Sequence, residues 1–157
     1  ILSRVIMKMN DLFDAIVNLL LVFCHRTGLT YPEVNILIYC GIIPASWALV
    51  VWFRQRRYWW LFMLHICLII LYLQNRHPLS GFSRRFYDGN IAALEWGANA
   101  FGIGYVGISL LTGIVFPVLI YAFFLIPSRR WTPFVYLTLL LGNLAYYGWA
   151  LTYQPGQ

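Results

Sequence analysis

Apolar and polar positions alternate at helical spacing along residues 1–26. Leu2, Val5, Ile6, Met9, Leu12, Phe13, Ile16, Leu19, Leu20 and Phe23 form one stripe, and Arg4, Lys8, Asp11, Asp14 and Asn18 the opposite face. This pattern predicts a helix lying in a membrane interface, because Asp11, Asp14 and Asn18 would be costly at mid-bilayer. Beyond it the alternation gives way to long uncharged runs. The first, Val34 to Phe53, has 20 residues without a formal charge, enough for about 30 Å of helix, one hydrocarbon thickness. Its start is well marked. Gly28 stands where a preceding helix would end, and Thr30 and Glu33 have capping-box spacing with Pro32 in the first turn.

The expected fold class is an all-α integral membrane protein with four transmembrane helices plus the N-terminal amphipathic interfacial helix. Residues 31–151 form one transmembrane domain, with spans at about 34–53, 58–73, 103–126 and 133–151. Tyr58, Trp59 and Trp60 open the second span as an aromatic belt. The stretch from Gln74 to Asn90 is polar and is expected to be a loop, with Asn90 as the N-cap of the next element. Ile91 to Ile126 is 36 residues, which as one helix would reach about 54 Å. Either its first turns are interfacial or it breaks near its glycines. Pro44 and Pro117 mark kinks. Thr132 and Pro133 are an N-cap and N1 pair for the last span. No internal repeat is visible.

Composition agrees with that pattern. The chain is 61% hydrophobic and only 10% charged, where a soluble domain carries about 25% charged residues. The net charge of +6 does not indicate nucleic acid, since the arginines sit in short clusters between apolar runs, where they meet lipid headgroups. Arg54, Arg56 and Arg57 lie in one such loop, Arg129 and Arg130 in another, and Arg84 and Arg85 between the second and third spans. The positive-inside rule places loops 54–57 and 127–132 on the cytoplasmic side of a cytoplasmic (inner) or plasma membrane. Cys24, Cys40 and Cys67 make no paired motif and imply no disulfide framework.

Gly102, Gly104 and Gly107 spell G-x-G-x-x-G. A dinucleotide site would need a strand before the glycines and an acid about 20 residues later, and neither is present. A potassium-filter loop would need a glycine after Tyr105, where Val106 stands. On a helical wheel the same glycines join two small-residue faces. Ala93, Gly97, Ala100, Gly104 and Gly107 fall on one, and Ala98, Gly102, Ser109 and Gly113 on the other. In lipid such faces allow close helix approach.

Four polar residues are candidates for intramembrane chemistry: His65, Glu95, Asn99 and Asn143. A haem at His65 would need a second buried histidine, and His25 and His77 stand at span ends. No cofactor, metal site or catalytic residue is therefore expected, and no hydrolase motif is found. The expected role is a non-catalytic small subunit that packs by its small-residue faces within a larger membrane complex, with membrane lipids and other membrane subunits as partners. A homo-oligomeric pore or small transporter is one alternative, and an intramembrane enzyme or lipid-modifying protein another.

Overall fold

The computed structural model describes residues 2–125 and 129–152. Residues 126–128 of the second arginine loop, the tail beyond residue 152, and the side chains of Arg4 and Arg129 lie outside the described part. Among the described residues every regular element is helical. We label them α1 (Leu2–Thr27), α2 (Tyr31–Arg54), α3 (Trp59–Gln74), α4 (Ser80–Phe101), α5 (Tyr105–Phe124) and α6 (Thr132–Thr152).

Three helices are long and apolar enough to cross a membrane: α2, α5, and α3 taken with the short 3-10 turn before it. Their outward surfaces carry exposed Leu64, Leu68, Leu71, Val118 and Phe123, an apolar area that water would not tolerate and lipid would. The fourth expected span, α6, has 21 residues but is not among them.

The predicted start of α2 is present. Gly28 closes α1 at φ 69° and its N–H bonds to the Cys24 carbonyl at 2.9 Å. The Glu33 carboxylate accepts the Thr30 N–H at 2.7 Å and the Thr30 hydroxyl at 2.9 Å. Glu33 is only 5% exposed, so these two bonds replace water on a buried carboxylate.

Two expectations are corrected. The stretch Gln74–Asn90 is not mainly loop: α4 starts at Ser80, and Asn90 lies inside it with Nδ2 bonded to the Phe86 carbonyl at 2.7 Å. Gly81 and Gly89 read locally as breakers. The buried face Ser83, Phe86, Gly89, Ala93 and Gly97 supplies packing that overrides them. Of the two alternatives for the stretch from Ile91, the break near its glycines is the one observed, and what is corrected is the single wheel drawn through it. Gly102 adopts φ 64° and ends α4, and Gly104 is the N-cap of α5. The two small-residue faces drawn on one wheel therefore do not run through one helix.

A further correction concerns the repeat, because the chain is built twice over. Gly28 and Gly102, the positive-φ residues of the described chain, are followed three positions later by Tyr31 and Tyr105, which open α2 and α5. A π-helical segment then begins at Leu37 in one and at Leu111 in the other. The offset is 74 positions throughout. Near the end of each π segment the residue before a proline donates five positions back, Ile43 to the Ile38 carbonyl and Phe116 to that of Leu111. The wider turn makes room for the rings of Pro44 and Pro117, which would otherwise crowd the preceding turn. The prolines stand one position out of the 74-residue register.

The tertiary contacts repeat as well. Phe13 of α1 packs edge-on against Tyr105 at 6.3 Å between ring centroids, and Tyr87 of α4 packs edge-on against Tyr31 at 5.7 Å. Phe13 and Tyr87 are themselves 74 positions apart, so each unit's first helix reaches across to the other unit's second. α2 and α5 run side by side in the same direction: Tyr39 meets Gly113, Ser46 bonds Tyr121, and the Arg54 guanidinium donates to the Phe124 carbonyl near the end of α5. The first two helices of each unit are thus related by an approximate two-fold axis, which the third helices do not share, since α6 packs on α2 and α4 and, among the described residues, α3 makes no comparable contact with α5 or α1.

α4 lies across one end of the bundle. It touches Tyr72 near the end of α3, Tyr31 at the start of α2, Ile108 in the first turn of α5, and Tyr147 and Trp149 near the end of α6. α1 covers the same end, through Phe13 on Tyr105 and Met9 beside Gly107. Towards the arginine loops the bundle closes on a core of Trp47, Ala48, Val51, Phe124 and Tyr136.

Candidate functional site

Beneath α1 and α4 the two units line a partly open cavity of about 710 Å³, within the range of small-molecule sites. Its walls come from α1, α2, α4, α5 and α6, and among the described residues α3 contributes none. Repeat-related residues face it together: Phe13 and Tyr87, Tyr31 and Tyr105, Asn35 and Ser109, Tyr39 and Gly113. Trp47, Ile43, Ile120 and Leu139 belong to both the cavity wall and the closed core, so the cavity ends there.

No lining residue carries a formal charge. The polar groups are phenols, hydroxyls, three indoles and three carboxamides. Each carboxamide is pinned in the same way. Asn35 Nδ2 bonds the Tyr31 carbonyl at 2.9 Å, Asn90 that of Phe86 at 2.7 Å, and Asn143 that of Leu139 at 2.8 Å. An amide held by its nitrogen keeps its oxygen as an acceptor. Tyr147 is held too, its hydroxyl donating to the Tyr39 carbonyl at 3.0 Å. Burial, and then the neighbouring Tyr31 and Tyr105 phenols, push the Tyr87 phenol up to about 12, so it remains a neutral donor at physiological pH. Two lining groups are sealed from solvent without a hydrogen-bond partner: the Trp47 indole N–H and the Ser109 hydroxyl.

The residues singled out from sequence divide among several places. Ala93, Gly97, Ser109, Gly113 and Asn143 line the cavity. A Cβ on Gly97 would stand 3.5 Å from the Ile108 side chain, and one on Gly107 3.6 Å from Met9 Cε. Both are ordinary van der Waals separations, so neither position requires a glycine. Ala98 is buried and Ala100 exposed. Gly102 and Gly104 form the corner, with nothing within 4 Å of an added Cβ.

Glu95 and Asn99 are exposed and do not reach the cavity. His65 is buried in the core, its Nδ1 paired with the Leu61 carbonyl at 2.9 Å and its Nε2 3.3 Å from the Tyr136 hydroxyl. Nδ1 thus donates to that carbonyl, and the Tyr136 hydroxyl also lies 3.4 Å from Nδ1. Among the described residues no three His, Cys, Asp or Glu side chains come together as a metal site. Arg56, Arg57, Arg84, Arg85 and Arg130 are exposed, and Arg57 lies over the Tyr58 ring at 4.7 Å.

Sequence reasoning missed Tyr31, Asn35, Tyr39, Tyr87, Asn90 and Tyr105 as a group. The signal was present in "GLTY" and "GIGY", two short runs that each place a tyrosine three positions after a glycine. Compared with known proteins, the chain matches no family model, no curated protein and no solved structure.

Proposed function

We propose that this protein is a small-molecule carrier of a membrane, in which two repeat-related units hold one binding cavity between them. The observation that carries the proposal is the lining of that single cavity by repeat-related residues from both units, Tyr31 with Tyr105 and Asn35 with Ser109. Internal repeats that enclose a site beside broken helices recur among secondary transporters. Here the π segments before Pro44 and Pro117 are the places where α2 and α5 bend at least cost.

In this reading α2, α3, α5 and α6 cross the bilayer. α1 and α4 lie in one interface, over the mouth of the cavity, with the polar sides bearing Lys8, Asp11, Arg84 and Arg85 towards headgroups and water. The loops at 54–57 and 127–132 then share the opposite side, which the positive-inside rule makes cytoplasmic.

A carrier must open its site to both sides in turn. With Cys24, Cys40 and Cys67 replaced, Thr112→Cys places a single thiol on the cavity wall. A membrane-impermeant maleimide added to oriented vesicles is expected to label it from either face, and the ligand-free rates from the two faces report the balance of the two states. Labelling from one face alone rejects the carrier.

A second reading keeps the protein as a non-catalytic subunit of a larger complex. It is favoured by the outward face of α4, where Glu95, Asn99 and Ala100 lie exposed beside Trp96. Co-purification of a non-identical partner at fixed stoichiometry, abolished by Ala100→Trp, supports it. A lone chain with two-sided labelling rejects it.

A further inference from the structure

We propose that the cavity selects an uncharged molecule with a flat apolar body and a hydroxyl group, read by the equivalent pairs Tyr31/Asn35 and Tyr105/Ser109. The inference rests on the cavity as the carrier's binding site and names the class of molecule it takes.

Three features set the chemistry. First, the wall has no formal charge. An ion entering it would lose its hydration with no counter-ion to replace it, a penalty that excludes carboxylates, phosphates and ammonium groups. Second, most of the wall is ring and aliphatic surface. Phe13, Tyr31, Tyr87 and Tyr105 stand in two edge-on pairs, leaving ring faces for a flat ligand to stack on. Third, the wall offers hydrogen bonds in both senses. The carboxamide of Asn35, and likewise those of Asn90 and Asn143, is fixed through its nitrogen to the helix one turn back. Each retains its oxygen and one N–H, and the Tyr31, Tyr87 and Tyr105 phenols line the same space, so the matching ligand carries a hydroxyl, which both donates and accepts.

Ser109 occupies the position equivalent to Asn35, one helical turn after Tyr105 as Asn35 is one turn after Tyr31. A serine inside a membrane helix ordinarily bonds the carbonyl one turn back, as Thr112 does to Ile108 at 2.8 Å. Ser109 does not, and its buried hydroxyl has no partner. Its desolvation is therefore uncompensated within the chain. Because water does not reach that oxygen either, a ligand completes the bond only once the Ser109 side chain turns towards the cavity.

The test uses the full chain in lipid nanodiscs and four matched probes: 2-naphthol, 2-methoxynaphthalene, 2-naphthoate and 2-naphthylmethylammonium. Binding is read by calorimetry and by quenching of the wall tryptophans. Saturable one-to-one binding of 2-naphthol is expected, with about tenfold weaker binding of the methoxy compound, which lacks the donor, and no measurable binding of either ion. Ser109→Ala separates ligand recognition from folding. Because the hydroxyl bonds nothing in the protein, the melting temperature is expected to stay level or rise, while 2-naphthol affinity falls. Glu95→Gln, facing away from the cavity, is expected to leave affinity unchanged.

Equal affinity for 2-naphthoate overturns the proposal, as does unchanged affinity in Ser109→Ala together with Asn35→Leu. Displacement of every probe by phosphatidylcholine overturns it too, by making the cavity a seat for lipid tails. Two-sided labelling at Thr112 without any naphthol binding sinks this ligand class and spares the carrier. Naphthol binding with one-sided labelling does the reverse.

Discussion

Tyr39 and Gly113 occupy equivalent positions in the two units and meet each other. A Cβ on Gly113 would stand 2.8 Å from the Tyr39 hydroxyl oxygen but 3.7 Å from the ring carbon that bears it. The first distance is a clash and the second an ordinary contact, so one oxygen atom decides what position 113 tolerates. Gly113→Ala is expected to destabilise the protein by about 1–3 kcal/mol, the usual cost of overpacking. The same change in a Tyr39→Phe background is expected to cost little. Thermal unfolding of the four members of that cycle in detergent gives the coupling directly, and additive effects would reject the contact. Position 113 was singled out from sequence as a small residue suited to helix packing. That its partner is a tyrosine of the same chain could not be read from spacing, because the contact depends on which helices become neighbours.

At the scale of elements, the two corners explain themselves through backbone conformation. Gly28 and Gly102 lie in the left-handed region, where a side chain costs about 1–2 kcal/mol. Gly28→Ala and Gly102→Ala are expected to lower stability by similar amounts, since they do the same work in equivalent places. Gly104 differs: its φ is −61° and nothing lies near an added Cβ. Its counterpart in the first unit is Thr30, and Gly104→Ser is expected to be neutral or to stabilise by a few tenths of a kcal/mol as a better N-cap. A melting series over the three sites checks the order, and a large loss at Gly104 would show that the glycine serves something other than the turn.

The first corner was legible because Thr30 and Glu33 carry a side-chain capping signature. The second has only glycines, whose spacing fits a cofactor loop, a packing face and a turn equally well. The boundaries of α4 failed for the opposite reason. Gly81, Gly89 and Asn90 are turn formers, and only the packing of Phe86 and its neighbours under the bundle holds them in a helix.

At the scale of the whole molecule, the all-helical class and three of the long apolar helices were legible and the duplication was not. Lipid-facing positions ask only for apolar surface, so Leu, Ile, Val and Phe replace one another freely and sequence similarity between the units fades. What persists is what geometry demands: a left-handed glycine, a tyrosine three positions on, and a proline after a π turn. The cavity follows from the pairing of α2 with α5, and its uncharged wall follows from neither composition nor motif, since it depends on helix packing that leaves Glu33, buried on Thr30, and the exposed charges outside the lining. Cutting the chain between Gln74 and Ser80, outside both units, is expected to leave two fragments that reassemble one to one when co-expressed, with 2-naphthol binding and the melting transition retained. Failure of the fragments to associate would mean that the connection itself holds the units together.

The tyrosine opposite the glycine on the approximate axis also sets the pairing rules for such fragments. Two first halves would bring two tyrosine rings to one spot, and two second halves would leave a hole there. Only the unlike pair fills the space once, so the molecule is an obligate heterodimer written on a single chain, and its two halves cannot be exchanged.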